Sequence, residues 1–451
     1  MLDVSARPTR AELSKAGAAA RQALPPAALG SWKPAADRPD PVDLLEGQAK
    51  TRIPELIPVR YGRMGVSPFT FYRGAALPMA ADLAPRPTTG IIVQLCGDAH
   101  LSNFGLFASP ERSEVFDIND FDETLLGPFE WDLARLVASL VVAARSRGFT
   151  GHDGRHAVHR AMRSYRERMA EYATMRAIDV YYASVAVSSV LTYVDKRARP
   201  LIESAVHSAS HHDSIHELAK LTAIVDGRRR IVDRPPVVVH RADTTNPLVT
   251  SALAMYRASL EEDRRALLDR YEIVDYAMKV VGVGSVGLGA MILLLDGGSG
   301  DDPLFLQGKE AQASVYERFL GPSTQPTHGD RVVAGQRRLQ ATTDVLLGAT
   351  VGDGGRHWYV RQLDDQKGSA VVEAMTVDDL GAWGELCGWA LARGHARSGA
   401  PATVSAYLGE DDAFDRAMAA FADAYADQTE RDFATFSAAI ASGRIAAQTG
   451  V

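Results

Sequence analysis

Three polar residues in the first third of the sequence have the types and spacing that phosphoryl transfer needs. Asp98 follows a short apolar run, Asn103 comes five residues later, and Asp120 lies seventeen residues beyond Asn103. Phosphoryl transfer to an alcohol needs a carboxylate that orients the hydroxyl and accepts its proton. It also needs oxygen ligands for Mg²⁺, which an amide and a second carboxylate can provide. The spacing therefore predicts a proton acceptor beside a magnesium site; the alternative is that these residues form turns and helix caps.

The two segments that carry these residues resemble known motifs. The segment CGDAHLSN resembles the HGDxHxxN catalytic loop in the aminoglycoside-phosphotransferase branch of the protein-kinase-like superfamily. The segment NDFDETLLGPFEWDLA at 119–134 resembles the IDFGDAGLGDPAYDLA segment of that branch without a gap. The resemblance implies ATP and Mg²⁺ as cofactors. It also assigns roles to the matched residues: Asp98 as catalytic base, Asn103 and Asp120 as metal ligands, Asp132 as the brace of the catalytic loop, and His100 as a supporting residue.

Two positions depart from the pattern of that branch. Cys96 replaces the histidine that usually precedes Gly-Asp, so one structural hydrogen bond is expected to be absent. Asp122 replaces the glycine after Asp-Phe, which implies extra metal binding or a changed loop conformation. The segments GDAHLSNFG, NDFDET and GPFEWDLARL also resemble a bacterial family known as domain of unknown function 2252, over most of the chain. That second resemblance implies no substrate.

A glycine-rich loop suited to phosphates lies far downstream. Residues 282–289 read GVGSVGLG, and glycine lets backbone N–H groups approach a phosphate closely because it has no Cβ. The residues expected to bind the nucleotide in this loop are Gly282, Gly284, Ser285 and Gly287. Two alternatives remain. A Rossmann fingerprint needs a helix directly after the loop and an acid about twenty residues on, such as Asp301 or Asp302. The third interpretation is a plain glycine-rich hairpin.

A lysine at a predicted strand end follows this loop. The strand LFLQGKEA contains Lys309, which would pair with the α and β phosphates, and its acidic partner would be Glu317 or, as second choice, Glu310. Strands predicted at 345–351 and 357–363 would complete a five-stranded lobe. The stretch Gln362–Lys367 would then form the hinge beside adenine.

The order of these parts predicts a circular permutation. In a kinase-like chain the nucleotide-binding lobe comes first, whereas here the Asp98 loop precedes the glycine-rich loop. Permutation is tolerated where chain termini lie close together. The predicted helix Leu380–Arg393 resembles the one that normally leads into the catalytic loop. His395 and Arg397 after it could line the site or could contact the C-terminal end of the helix.

These motifs require a fold with two parts. Apolar runs at 90–95 and 114–118 predict strands, the text from 151 to 272 is mostly helical, and short apolar runs alternate with glycine turns after 276. We expect an α+β, two-lobed protein-kinase-like fold with permuted lobe order and a large helical insertion. The predicted parts are an N-terminal helix and extended arm (1–58), a catalytic-loop and metal-binding part (59–150), a helical substrate region (151–272), a β-rich nucleotide lobe (273–370) and C-terminal helices (371–451).

Composition narrows the classes of function. The chain has 451 residues, of which 46% are hydrophobic and 23% charged, as in ordinary globular proteins. A total of 49 Lys and Arg against 56 Asp and Glu gives a net charge of −7, which argues against a general nucleic-acid or anionic-membrane binder. Two cysteines cannot build a disulfide scaffold. Because neither a signal segment nor an apolar run of membrane length is evident, we expect a cytoplasmic protein without nucleic-acid or membrane partners.

Other clusters each have two interpretations. Histidines between 207 and 216 could form a metal-binding helix face or a solvated one. The triplet Arg228–Arg230 could meet an anionic substrate or be solvated in a loop. Arginines and aromatic residues between 59 and 85 are typical of a helix–loop–helix whose arginines reach solvent. Cys96 has no evident histidine base, which argues against a nucleophile.

The sequence therefore predicts an ATP- and Mg²⁺-dependent, kinase-like phosphotransferase. By analogy with the nearest branch, its acceptor is expected to be a small molecule with a hydroxyl or amine. The alternatives are a nucleotidyl transferase on the same fold, a nucleotide-binding pseudokinase that regulates a partner, and a Rossmann oxidoreductase. No motif in 151–272 names the acceptor, and nothing indicates the oligomeric state.

Overall fold

The computed structural model describes residues 7–187, 218–240 except 219 and 227, 247–298 except 281, 302–363, and 368–450 except 370. Helices and strands are both abundant, so the predicted α+β class is confirmed. The α-helices are Arg10–Ala23, Pro26–Gly30, Pro41–Ala49, Ile57–Met64, Pro68–Gly74, Ala76–Leu83, Phe129–Ser146, Gly151–Thr174, Ala177–Tyr182, Pro247–Ser259, Glu262–Leu268, Glu317–Leu320, His328–Leu339, Val377–Ser398, Pro401–Leu408 and Ala413–Ala441.

The strands form four antiparallel sheets within the described ranges. They are β1 (Ile92–Leu95), β2 (Phe104–Ala108), β3 (Glu114–Ile118), β4 (Leu125–Pro128), β5 (Thr222–Val225), β6 (Arg228–Ile231), β7 (Val238–Val239), β8 (Glu272–Lys279), β9 (Ala290–Asp296), β10 (Pro303–Ala311), β11 (Gly348–Val351), β12 (His357–Gln362) and β13 (Gly368–Ser369). Across these same ranges, every helix is too short or too polar to cross a membrane.

The largest sheet has six strands in the order β11–β12–β10–β9–β8–β7. The predicted strands at 345–351 and 357–363 correspond to β11 and β12. β7 adds an edge strand to the five of the predicted lobe, and it begins at Val238, after a turn in which Val237 N donates to Arg234 O. β10 lies between β9 and β12, with Lys309 opposite Ala290 and Tyr359.

Both faces of this sheet are covered, which explains the nearly continuous apolar run of β9. Leu293 and Leu295 pack into one cluster with Tyr256 and Leu260, while Ile292 and Leu294 pack into another on the opposite face. Successive residues of a strand point to opposite faces, so a strand covered on both sides needs apolar residues throughout. The sequence pattern therefore indicates a buried strand rather than a half-exposed one.

Helices from both ends of the chain surround the small sheets that carry the Asp98 loop. The helices Phe129–Ser146, Gly151–Thr174, Val377–Ser398 and Ala413–Ala441 contribute to one large hydrophobic cluster. Capping boxes start two of them: Thr150 with Asp153, and Thr376 with Asp379.

The structure gives more detail for two parts of the region from 151 to 272, which was predicted to be mostly helical. Its last part forms two helices, Pro247–Ser259 and Glu262–Leu268. The Ser259 hydroxyl, which donates to Tyr256 O and accepts from Ala349 N, lies where the first helix ends. The predicted loop Arg228–Arg230 belongs to β6, which pairs with β5.

The N-terminal region also differs from its prediction. The predicted N-terminal helix is present as Arg10–Ala23, but the following segment is not an extended arm. It contains Pro26–Gly30 and Pro41–Ala49, because a proline at the first helical position starts a helix rather than breaking it. The basic and aromatic stretch forms three helices, and Arg60 is fully buried rather than reaching solvent.

Candidate functional site

A cavity of about 100 Å³ brings together four distant segments. The β1–β2 loop contributes Asp98, His100 and Asn103, and the β3–β4 turn contributes Asp120, Asp122 and Glu123. The β8–β9 loop contributes Gly282, Val283, Gly284, Ser285 and Leu288. The N-terminal helices and the turns between them contribute Gln48, Arg52, Arg60, Arg73, Gly74 and Ala76. Most of the residues predicted for the site therefore line one cavity, and the last group was not predicted.

The backbone around Asp98 is held by a buried carboxylate. Asp132, near the start of the helix Phe129–Ser146, accepts hydrogen bonds from Cys96 N at 2.8 Å and Gly97 N at 2.9 Å. His395 Nε2 lies 3.2 Å from the same carboxylate, and its Nδ1 lies 2.8 Å from the Tyr165 hydroxyl. This geometry matches the brace predicted for Asp132. It also places His395 behind the loop rather than on the cavity wall.

Gly97 has to be glycine for two reasons. Its φ is +90°, a conformation that other residues rarely adopt. A Cβ there would lie 2.1 Å from Glu123 O, so the loop and the β3–β4 turn touch at this point. The close approach sets Asp98 beside the acids that follow β3.

The Asp98 carboxylate is held by a residue that the sequence reasoning missed. Arg135 Nε donates to Asp98 Oδ1 at 2.7 Å, and its Nη2 donates to Tyr72 O at 2.6 Å. Burial raises the pKa of Asp98, with Arg135 opposing the shift. The sequence does indicate that Arg135 lies near the Asp98 loop. It follows Asp132 by three positions and so lies on the same face of the helix.

Two neighbours complete the Asp98 loop. Asn103 Nδ2 donates to Asp98 O at 2.7 Å, which leaves its amide oxygen as the atom that could contact a cation. His100 Nε2 lies 3.7 Å from Asp98 Oδ2. Burial holds the pKa of His100 well below its usual range, so the imidazole is neutral at pH 7.

Lys309 lies beside the two aspartates of the β3–β4 turn. Its Nζ is 3.0 Å from Asp122 Oδ2 and 3.5 Å from Asp120 Oδ2, and Tyr359 donates to Asp122 Oδ1 at 2.7 Å. Burial alone would raise the pKa of Asp122, but the Lys309 charge and the Tyr359 hydrogen bond outweigh it and lower that pKa. Lys309 and Asp120 therefore meet although they are far apart in sequence.

The predicted pairing of Lys309 with Glu317 is wrong. The Glu317 carboxylate accepts from Ser314 N at 3.0 Å and lies 3.3 Å from Arg331 Nε. Glu310, the second choice, accepts from Gly289 N at 3.0 Å. Glu317 therefore binds backbone groups of its own turn, and the acids beside Lys309 are those of the β3–β4 turn.

The glycine-rich loop is fastened by the N-terminal helices. Arg52 donates to Val286 O, Ile53 N donates to Gly287 O at 2.8 Å, and Arg63 donates to Gly282 O at 2.6 Å. Gly287 faces the Arg52 side chain rather than the cavity. Strand β9 follows the loop directly, so the Rossmann alternative, which needs a helix there, is wrong.

The remaining predictions have varied outcomes. Arg397 donates to Ala341 O and Tyr181 O, away from the cavity. Cys96 is buried, and burial raises its pKa well above the usual range, as expected for a structural thiol. The histidines at 207–216 and most of the predicted hinge, 364–367, lie outside the described residues. Where the chain is described, no group of three or more His, Cys, Asp or Glu is arranged to hold a metal ion.

Comparison with known protein families assigns the chain to one of them. The model of a family described as "Uncharacterized protein conserved in bacteria (DUF2252)" matches residues 52–439. The chain belongs to this family. No curated protein and no solved structure matches it. The matched range begins at Arg52, so it includes every arginine of the cavity as well as the Asp98 loop and the glycine-rich loop.

Proposed function

We propose that this chain is a Mg²⁺- and ATP-dependent phosphotransferase of the protein-kinase-like superfamily, with permuted lobes and a small-molecule acceptor. The observation that carries the proposal is the meeting of two motifs in one cavity. Asp98, Asn103 and Asp120 line it together with Gly282, Gly284 and Ser285, although the motifs come from opposite halves of the chain. Residues that served only as turn formers and helix caps would not be expected to meet in one cavity.

Asp98 is proposed to accept the proton of the acceptor hydroxyl or amine. Burial raises the pKa of this carboxyl, which favours proton uptake. Arg135 binds Oδ1, so Oδ2 remains the oxygen available to the acceptor. Arg135 acts as a positioning residue because its guanidinium binds the Asp98 carboxylate and is itself held by the Tyr72 carbonyl, the Tyr72 ring and the Met79 sulfur.

The cavity wall offers a donor set that suits Mg²⁺ and nucleotide phosphates. Asp120 and Asn103 carry the oxygen ligands that Mg²⁺ prefers, and Lys309 stands beside Asp120 where positive charge is favoured. Mg²⁺–ATP, when bound, supplies the phosphoryl group and neutralises its charge. Asp120 and Asn103 would hold the metal, while Lys309 and the N–H groups of the glycine-rich loop would hold phosphates.

The permuted order is supported by the packing of the C-terminal helix Val377–Ser398. Trp383 Nε1 donates to Leu101 O at 3.0 Å, and His395 contacts Asp132. This helix therefore supports the catalytic loop from the C-terminal end of the chain, as a permutation requires.

A nucleotide-binding pseudokinase is the second candidate. The Asp98–Arg135 ion pair favours it, because a cation 2.7 Å from the carboxylate opposes proton uptake. In this candidate the cavity binds nucleotide without phosphoryl transfer, and a partner protein recognises the nucleotide-bound state.

Labelled ATP separates the candidates. The full chain is incubated with Mg²⁺ and γ-labelled ATP against a metabolite mixture, then with α-labelled ATP. Transfer of γ label supports the phosphotransferase, transfer of α label a nucleotidyl transferase, and binding without transfer the pseudokinase. Asp98→Asn should keep ATP affinity while lowering transfer at least about a hundredfold. The matched control, Asp427→Asn, removes an exposed carboxylate that pairs with Arg145 and should transfer like wild type.

A further inference from the structure

Three arginines of the cavity lack the acidic partners that other buried arginines have. Arg52 is 8% exposed and Arg60 is fully buried, and Arg73 is half-buried. Among the residues that the structure describes, no carboxylate lies within 4.0 Å of their guanidinium nitrogens. In contrast, Arg135 pairs with Asp98 at 2.7 Å and Arg393 pairs with Asp117 at 2.6 Å.

Their hydrogen bonding is also incomplete. Arg52 Nε, Arg60 Nε and Nη1, and Arg73 Nε are buried without a hydrogen-bond partner in the described part of the chain. The bonds that do form go to neutral acceptors, since Arg60 Nη2 binds Gln48 Oε1 and Gly74 O at 2.9 Å each. Neutral acceptors leave the guanidinium without a directly bound counter-ion, although acids such as Glu123 act on Arg52 and Arg60 from a longer distance.

An uncompensated buried charge is costly, and natural proteins usually pair it. Burial, together with the neighbouring charge of Arg52, holds the pKa of Arg60 well below its usual range. Two adjacent buried arginines and a third on the same cavity therefore form a site that is stable when an anion is present. Forked guanidinium donors fit the oxygens of phosphates and carboxylates.

We propose that Arg52, Arg60 and Arg73 form a binding site for a phosphate-type oxyanion between the glycine-rich loop and Asp98. Arg52 donates to Val286 O in the loop, and the Arg73 carbonyl lies 3.3 Å from where a Gly284 Cβ would be. The acids of the β3–β4 turn line the same cavity. The small cavity has room for one phosphate-sized group or a few water molecules.

The source of the oxyanion rests on the proposed function. It is either the distal phosphate of the nucleotide or an anionic group on the acceptor, and the shared chemistry is a multivalent oxyanion held by arginine forks. In the second case the acceptor is itself a phosphorylated or carboxylated small molecule. Binding of inorganic phosphate requires neither ATP nor turnover, so this proposal and the proposed function can fail separately.

The test is titration of the full chain with inorganic phosphate and with tripolyphosphate, without Mg²⁺ and at constant chloride. Calorimetry and thermal unfolding should both detect binding. Arg60→Gln should raise Kd at least about tenfold, the scale for losing a charged hydrogen bond. Arg73→Gln should do the same and keep the fold, because this guanidinium makes no hydrogen bond within the described residues. Arg155→Gln, which removes an equal charge from an exposed pair with Asp423, should bind like wild type.

A second arm identifies the source. If phosphate still binds when a non-hydrolysable ATP analogue is saturating, the oxyanion belongs to the acceptor. If the analogue displaces phosphate, and Arg60→Gln weakens ATP but not AMP, the oxyanion belongs to the nucleotide. Wild-type protein that binds neither phosphate nor tripolyphosphate, or Arg60→Gln and Arg73→Gln variants that bind them like wild type, would overturn the proposal.

Discussion

Lys309→Met is expected to destabilise the protein even without any ligand. Lys309 is 6% exposed, and its ammonium is 3.0 Å from Asp122 and 3.5 Å from Asp120. Methionine has a similar length and no charge, so the variant keeps the packing of the stem and removes only the cation. The two carboxylates then lose their nearest positive charge.

The size of the loss follows from how deeply the pair is buried. Breaking a fully buried ion pair by removing one partner costs roughly 3–5 kcal/mol. The Asp122 side chain is 24% exposed, so water screens part of its charge. We therefore expect Lys309→Met to lower the free energy of unfolding by about 2 kcal/mol at pH 7. The remaining hydrogen bond from Tyr359 to Asp122 also limits the loss.

The pH dependence has a definite sign. In the wild type the pKa of Asp122 is lowered, so its stabilisation is present above about pH 4, the unfolded value, and is lost as the pH falls through the native value. In Lys309→Met, burial is no longer opposed by the ammonium and raises the native pKa of Asp122. The destabilisation should therefore be largest near pH 7 and shrink as the pH falls toward 4.

A double-mutant cycle measures the interaction directly. Urea unfolding of Lys309→Met, Asp122→Asn and the double variant should give a coupling free energy of at least about 1 kcal/mol. Lys33→Met, at an exposed lysine, serves as the control and should be neutral. Additive single effects, with coupling under about 0.3 kcal/mol, would show that the buried pair does not form and would refute this account of the site.

Three further outcomes are expected. Gly97→Ala should lower stability by at least about 2 kcal/mol in thermal unfolding, because its φ is +90° and its Cβ would meet Glu123 O; a loss under about 0.5 kcal/mol contradicts this. Asp120→Ala should abolish the Mg²⁺-dependent part of ATP stabilisation in a thermal-shift assay, and an unchanged shift removes Asp120 from the site. Burial raises the pKa of Glu123 to about 7, so wild-type stability should fall between pH 5 and 8 relative to Glu123→Gln, and parallel pH profiles would be contrary evidence.

The cavity could be predicted from sequence where a residue type and its spacing carry the information. Asp98, Asn103 and Asp120 were located by their spacing, and the glycine-rich loop by its composition. The three polar residues and the first part of the loop, Gly282 to Ser285, line the same cavity. The sheet was also predictable, because apolar runs separated by glycine turns indicate strands wherever both faces are covered. Helix boundaries at prolines were predicted less well, since proline starts a helix as readily as it ends one.

Residues whose role depends on a distant neighbour could not be predicted. Glu317 follows the lysine strand at a plausible distance, yet Lys309 pairs with acids from the other half of the chain. In the sequence Arg60 is one of several arginines interspersed with aromatic residues, a pattern that predicts arginines reaching solvent. In the structure it is buried at the cavity. In each case the sequence gives the charge of the side chain but not the charge that faces it.

The sequence by itself determined the chemical types available to this protein: an aspartate, an amide and an acid at characteristic spacing, a flexible glycine-rich loop and a strand lysine. These are local properties, because spacing along a loop and the absence of a Cβ do not depend on the rest of the chain. Only the tertiary structure decided which charges share the cavity. Packing places Lys309 beside Asp122 and Arg135 beside Asp98. It also buries three arginines at the cavity with guanidinium nitrogens that have no hydrogen-bond partner among the described residues. Electrostatic energy depends on distance and burial, and both are set by packing between segments that lie far apart in the chain.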